Sequence, residues 1–131
     1  MVRSKGRNKR RRQQKGVIYC INCKDCDMKY IGETGKLLKE RVKQHKSDVK
    51  YGRETNAILK HVKEKGHEVN WEEVIVLEHE DRMWPRKWKE AWWIEKEGEE
   101  KLMNWTKGIS INKEWKHIID KYREMYVKLC D

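Results

Sequence analysis

Phenylalanine is absent from this chain, and proline occurs once. Aromatic surface is supplied instead by seven tryptophans and five tyrosines, flat groups on which bases can stack. No apolar run is long enough to cross a bilayer, and no signal-peptide pattern is present. A membrane-bound reading is excluded on that ground, and a soluble, intracellular chain is expected. There is no acidic excess either: 32 Lys and Arg stand against 22 Asp and Glu, for a net charge of +10. Such a balance predicts a polyanionic partner, nucleic acid first. Charge alone does not choose the class, because a ribosomal protein or a helicase fragment would share it. At 131 residues the chain is expected to form one domain with a modest core, and it has no internal repeat.

Cysteines are few, and three of the four fall at 20, 23 and 26. Without an export signal, metal binding is a better reading of that spacing than disulfides. Cys23 and Cys26 form a Cys-x-x-Cys pair whose thiolates converge, and His61 with His67 would complete a tetrahedral Cys₂His₂ zinc site. Four protein ligands leave no open position for water, so the site would be structural. Cys20 competes as a ligand, but it has opposite strand parity to Tyr19 and so is expected to point through the sheet as a buried thiol. Cys130 reads as a free cysteine. A redox role for Cys23 and Cys26 lacks the surrounding βαβ pattern.

Residues 1–15 contain almost nothing apolar and are expected to form a flexible basic arm. Its Lys9, Arg10, Arg11 and Arg12 could grip phosphates or serve as a nuclear localisation signal, and a solvated linker fits as well. Val17–Asn22 and Met28–Gly32 read as hairpin strands. With Lys24 and Asp25 as a two-residue loop, Tyr19 would stand opposite Tyr30 and Cys23 opposite Cys26, which places both phenols on one sheet face. Gly35 is read as punctuating the start of a helix. From Leu38, apolar positions recur at Val42 and Val49, so Arg41 and His45 flank the buried side.

Thr55 is expected to cap a second helix running through Ile58 and Val62 to a stop at Gly66. Val74–Leu77 suits a central strand buried on both faces, giving a three-stranded mixed or antiparallel sheet. The lone proline, Pro85, fits the first turn of a third helix reaching about Glu97, ahead of Gly98. Trp84, Trp88 and Trp92 follow one side of it and Trp93 does not, so at least one should be exposed or at an interface. From Lys113 on, Trp115, Ile118, Ile119, Tyr122, Tyr126 and Leu129 keep helical spacing and predict a last amphipathic helix, packed on the domain or used for dimerisation. The fold class expected is α+β, a small twisted sheet with flanking helices.

The order Val17-Ile18-Tyr19, Tyr30-Ile31-Gly32, Arg41, His45, Glu90, Asn104 resembles the GIY-YIG nuclease family over most of the chain. Gly16 is followed by Val17 before Ile18-Tyr19, so valine fills the usual glycine slot; that position needs strand backbone rather than a special side chain. The finer pattern of Cys23-x-x-Cys26 ahead of Tyr-Ile-Gly-Glu-Thr-Gly, with His61, Gly66-His67 and Trp71, looks like the endonuclease domain of Penelope-like retroelements.

Hydrolysing a phosphodiester needs a deprotonated water, positive charge at the phosphoryl oxygens, and help for the departing alkoxide. The resemblance implies Tyr19 as general base, Tyr30 as the phenol orienting the water, and Arg41 as the cation on the scissile phosphate. It implies Glu90 as the single ligand of Mg²⁺ or Mn²⁺, chosen over neighbouring glutamates by its place in Lys89-Glu90-Ala91, and Asn104 as closing the pocket. His45 is left open: it could hydrogen-bond a tyrosine or phosphate, act as an alternate base, or fill the helix face. A phenol base with pKa near 10 needs help at neutral pH, which Arg41, the metal and the basic surround are expected to give. Lys36 and Arg41 join the basic arm as expected nucleic-acid contacts.

The resemblance further implies double-stranded DNA as substrate, nicking that primes retroelement insertion, a reverse transcriptase elsewhere in the parent polyprotein, and a nuclear location. The alternatives are a zinc-stabilised binding or targeting module that has lost cleavage, and a zinc-stabilised protein-interaction domain.

Overall fold

The computed structural model describes residues 14–104. Its elements are β1 (Lys15–Asn22), β2 (Lys29–Leu37), α1 (Leu38–Lys50), α2 (Ala57–Lys65), β3 (Ile75–His79) and α3 (Met83–Glu97), an α+β arrangement. The basic arm with Lys9, Arg10, Arg11 and Arg12, the last amphipathic helix and Cys130 lie outside the described residues. No described helix is long and apolar enough to cross a membrane.

The sheet is antiparallel, with strand order β2-β1-β3. β1 is therefore the central strand, and its β-branched and aromatic run Val17–Ile21 is buried on both sides. Alternation along β1 divides the core in two. Val17, Tyr19 and Ile21 pack with Leu38, Val42 and Ile58 from α1 and α2, whereas Ile18 and Cys20 pack with Ile31, Ile94 and Leu102 on the α3 side. Each fully buried aliphatic chain here contributes about 1.5–3 kcal/mol. Cys20 is thus a buried thiol on the face away from Tyr19, as parity predicts.

Four expectations need correction. The hairpin register pairs Tyr19 with Gly32 and Ile21 with Tyr30, not Tyr19 with Tyr30 or Cys23 with Cys26. Cys23–Met28 form a wider loop closed by the Cys23 N–H on the Met28 carbonyl at 3.0 Å, because the Cys-x-x-Cys segment folds on itself instead of turning in two residues. The offset is two residues, so facing is preserved and both phenols remain on one side.

β2 also runs five residues past Gly32 to Leu37. Gly35 is inside it, where a Cβ would stand 2.9 Å from Arg86 Nη2; the glycine makes room for a buried guanidinium that bonds Glu33. The N-cap of α2 is Asn56, not Thr55: its side chain accepts the Ile58 N–H, and Gly66 ends the helix at φ 65°. Finally, β3 is an edge strand, half-buried, and the apolar run it carries signals packing but not sheet position.

Pro85 does sit in the first turn of α3, and among the tryptophans of that helix Trp84 is the exposed one, at 61%. Val17 lies within the strand, fully buried, while the special backbone falls on Gly16 at φ 64°. There a Cβ would meet the Glu80 carbonyl at 2.7 Å.

The outer edge of β2 is filled. Met103 N–H donates to the Lys29 carbonyl at 2.8 Å, and Asn104 brackets Ile31, accepting its N–H at 3.0 Å and donating to its carbonyl at 2.7 Å. The Glu90 carboxylate lies near the next outward N–H, that of Glu33, which favours its charged form. Met103 and Asn104 thereby satisfy main-chain groups that a bare strand edge would leave open.

Candidate active site and candidate metal centre

Tyr19 and Tyr30 lie diagonally across the β1–β2 ladder with ring centroids 6.4 Å apart. Gly32 is the reason they fit: a Cβ there would stand 2.5 Å from the Tyr19 hydroxyl and 3.0 Å from Tyr30 Cε1. α1 starts directly after β2, and its 3.6-residue period brings Leu38, Val42 and His45 to the sheet. His45 is not beside the buried face but within it, 1% exposed. Its Nε2 is 2.8 Å from the Tyr19 hydroxyl, and its ring meets Tyr30 edge-on at 5.0 Å.

Arg41, one turn earlier and half-buried, lies close enough for its guanidinium charge to act on Tyr19 and Tyr30, and it donates to Gln44 Oε1 at 2.8 Å. A cleft of about 340 Å³ opens over this cluster, lined by Tyr30, Arg41, His45, Asp48, Asn56 and Asn104 among others. Glu90 approaches from α3 at the β2 edge, close enough that its charge acts on both phenols. Five of the sequence-predicted residues, Tyr19, Tyr30, Arg41, His45 and Glu90, are thus neighbours, and Asn104 lines the cleft while its amide is committed to Ile31. Lys36 is exposed at the far end of β2.

Burial governs the electrostatics. It raises the Tyr19 phenol above the ordinary tyrosine range, with Tyr30 adding to the rise and Arg41 opposing it. Arg41 acts on this phenol in the expected downward direction, and by itself it does not outweigh desolvation. Tyr30 is raised for the same first reason. Burial, then Arg41, lowers His45 to about 4, so the imidazole is neutral at pH 7. Burial and the neighbouring Glu33 push Glu90 up to about 7.

Two residues that the sequence did not single out complete the site. Asn56 Nδ2 is 2.9 Å from His45 Nδ1 and 3.0 Å from Asp48 Oδ2, and Arg53 holds Asp48 Oδ1 at 2.8 Å. Asp48 was visible in principle as the residue three after His45 on the same helix, and Asn56 as a helix cap. Nothing in the spacing says that they meet.

The second cluster lies at the hairpin tip. The ligand atoms of Cys23, Cys26, His61 and His67 all fall within 4.8 Å of one another, a group that could hold a metal ion. His61 Nε2 is 3.4 Å from Cys23 Sγ and 3.5 Å from Cys26 Sγ, while His67 Nδ1 is 3.5 Å from Cys23 Sγ. The loop is shaped for thiolates: Asp25 N–H donates to Cys23 Sγ and Met28 N–H to Cys26 Sγ, each at 3.4 Å. Lys24 N–H on the Glu68 carbonyl, 2.9 Å, and Glu68 N–H on Asp25 Oδ2, 2.8 Å, stitch the two ligand loops together. Cys20 is not among the four.

A small α+β domain that gathers two phenols, a guanidinium and a carboxylate along one hairpin has the parts a phosphodiester hydrolase needs. The chain belongs to the GIY-YIG family, whose model, described as the GIY-YIG catalytic domain, matches residues 15–127. Members of this family are nucleases. No match was found among curated proteins or among solved structures.

Proposed function

We propose that this chain is a metal-dependent DNA endonuclease that nicks double-stranded DNA. The observation that carries the reading is the packing of Tyr19 and Tyr30 over Gly32, with the charges of Arg41 and Glu90 close enough to act on both phenols. In this reading Tyr19 takes the proton of the attacking water and Tyr30 orients that water. Arg41 meets the phosphoryl oxygens, and Asn104 keeps the β2 edge in place beneath them.

Glu90 would hold Mg²⁺ or Mn²⁺. A buried carboxylate held at about 7 lacks a cation sufficient to keep it ionised, which is the electrostatic deficit a divalent ion would fill. Mg²⁺ keeps several waters and accepts one or two protein carboxylates, so a single acidic ligand suits it. The ion would supply charge at the phosphoryl oxygens and the departing alkoxide.

Cys23, Cys26, His61 and His67 would hold Zn²⁺. A tetrahedral centre with Zn–S near 2.3 Å and Zn–N near 2.0–2.1 Å sets its sulfur and nitrogen atoms about 3.5 Å apart. The spacings of 3.4 and 3.5 Å fit that ion. The same four residues carry the likeness to Penelope-like retroelement endonucleases. We therefore read the domain as the nicking module of such an element, acting in the nucleus beside a reverse transcriptase, with Lys36, Arg41 and the basic arm on DNA phosphates.

The test is nicking of supercoiled plasmid with Mg²⁺ or Mn²⁺ by the parent and by Tyr19→Phe, Arg41→Ala and Glu90→Gln. Nicking should fall by about 100-fold or more in each variant, in line with loss of a proton acceptor or charge stabiliser, while salt-dependent DNA binding persists. Variants that bind normally and cut as well as the parent would defeat the assignment and leave a binding module.

A further inference from the structure

We propose that Asn56 is a positioning residue that fixes the imidazole proton of His45 on Nε2, so that His45 donates a hydrogen bond to the Tyr19 oxygen instead of removing the Tyr19 proton. The catalytic part of this rests on the nuclease reading; the location of the proton does not.

The Ile58 backbone N–H can only donate, and it lies 3.0 Å from the Asn56 side chain, so the atom facing it is Oδ1. The amide nitrogen must then face the other way, toward His45 and Asp48. Nδ2 carries two hydrogens and has two partners, Asp48 Oδ2 at 3.0 Å and His45 Nδ1 at 2.9 Å. Asp48 is an ionised acceptor: burial opposes that state, but Arg53 and Asn56 hold its carboxyl below the usual range. His45 Nδ1 therefore meets an N–H and must present its lone pair.

A neutral imidazole with a free Nδ1 bears its proton on Nε2. That Nε2 is the atom 2.8 Å from the Tyr19 hydroxyl. Asn56, 7% exposed, and His45, 1% exposed, are shielded from water that could substitute for either partner. The low proton affinity of His45 agrees with this layout, since an imidazolium would set N–H against N–H.

The direction of the chain has a chemical consequence. Where a carboxylate accepts Nδ1–H, histidine is arranged to take a proton from a nucleophile. Here an amide donates to Nδ1, and the ring is arranged to give a hydrogen bond. The phenolate of Tyr19 would receive a bond from His45 in the presence of the Arg41 charge, which favours the charged form that a base requires.

The experiment records imidazole tautomers from long-range ¹H–¹⁵N couplings of the zinc-loaded, ¹⁵N-labelled protein, alongside plasmid nicking. His45 in the parent should be the Nε2–H form. Asn56→Asp keeps the oxygen that caps Ile58 but turns an acceptor toward Nδ1; His45 should become Nδ1–H or doubly protonated, and nicking should fall by about 100-fold with zinc content unchanged. Asn56→Ser keeps a capping hydroxyl without the amide donor, and should yield a tautomer mixture with a smaller loss of nicking.

An Nδ1–H form in the parent overturns the proposal. So does Asn56→Asp that nicks normally, or that loses nicking while His45 stays Nε2–H. A parent with the Nε2–H form that cuts nothing would instead overturn the nuclease reading and leave the tautomer assignment standing.

Discussion

Tyr19 stands directly across the β1–β2 ladder from Gly32, and its ring fills the volume that any side chain at that glycine would need. Substituting Gly32→Ala puts a methyl 2.5 Å from the phenol oxygen of a residue with no exposed surface and no room to retreat. Overpacking of this kind costs about 1–3 kcal/mol. Denaturant unfolding should show that loss, and nicking should fall further than stability does, because the displaced group is the proposed base.

Metal removal should unfold the domain, not only silence it. Cys23 and Cys26 bring the hairpin tip against His61 of α2 and the following loop at His67, so a metal there would tie down the C-terminal end of β1. Structural zinc in small domains is worth about 10–16 kcal/mol in apparent binding energy. Each kcal/mol lost lowers Tm by about 2–8 °C for domains that bracket this size. A zinc-selective chelator, followed by circular dichroism with metal analysis, should lower Tm by roughly 20 °C or more; an unmoved melting curve on complete zinc loss would refute a structural ion.

His45 should make the fold acid-sensitive. Its ring is held at about 4 against an ordinary 6.5, so between those values the unfolded chain binds more protons than the native one. Stability is therefore fully present above pH 6.5 and drains away as pH falls toward 4. For a group this buried the loss is on the order of 3 kcal/mol. Glu90, raised to about 7, pulls in the opposite sense over part of that range. Parent and His45→Gln should therefore be compared by urea denaturation at a series of pH values, and the difference between them should shrink as pH drops from 6.5 to 4.

Nicking should accelerate from pH 6 to 9. Tyr19 and Tyr30 both lie above the ordinary phenol range, and Glu90 ionises only near 7, so each step toward alkali enriches the charged groups the reaction uses. A single-turnover rate that stays level over this span would argue against a phenol base.

Much of this site could be read from residue order because strand and helix periods are forgiving. The hairpin register assumed from Lys24 and Asp25 is wrong by two, yet an even slip keeps every side chain on its face, so Tyr19 and Tyr30 still meet. The Cys₂His₂ group was legible for a similar reason: ligand identity and a two-residue spacing constrain a loop whatever its backbone path. Contacts set by three-dimensional packing were hidden. Asn56 reaches back 11 residues to His45, and Arg86 reaches 53 residues back to Glu33 beside Gly35, distances at which no period operates. The apolar run in β3 reported burial correctly but carried no mark of the edge, because strand order depends on where β1 is inserted.

Glu90 has a second place at the rim of β2, beside the Glu33 N–H, next in line after the Lys29 and Ile31 groups that Met103 and Asn104 cover. Truncating it to alanine would unplug a main-chain donor and offer the rim to a strand from another molecule, inviting self-association that could pass for a catalytic defect. Glutamine keeps a carbonyl oxygen in the same berth while discarding the charge. Only the amide replacement separates the loss of a cation's ligand from the loss of a stopper on the sheet.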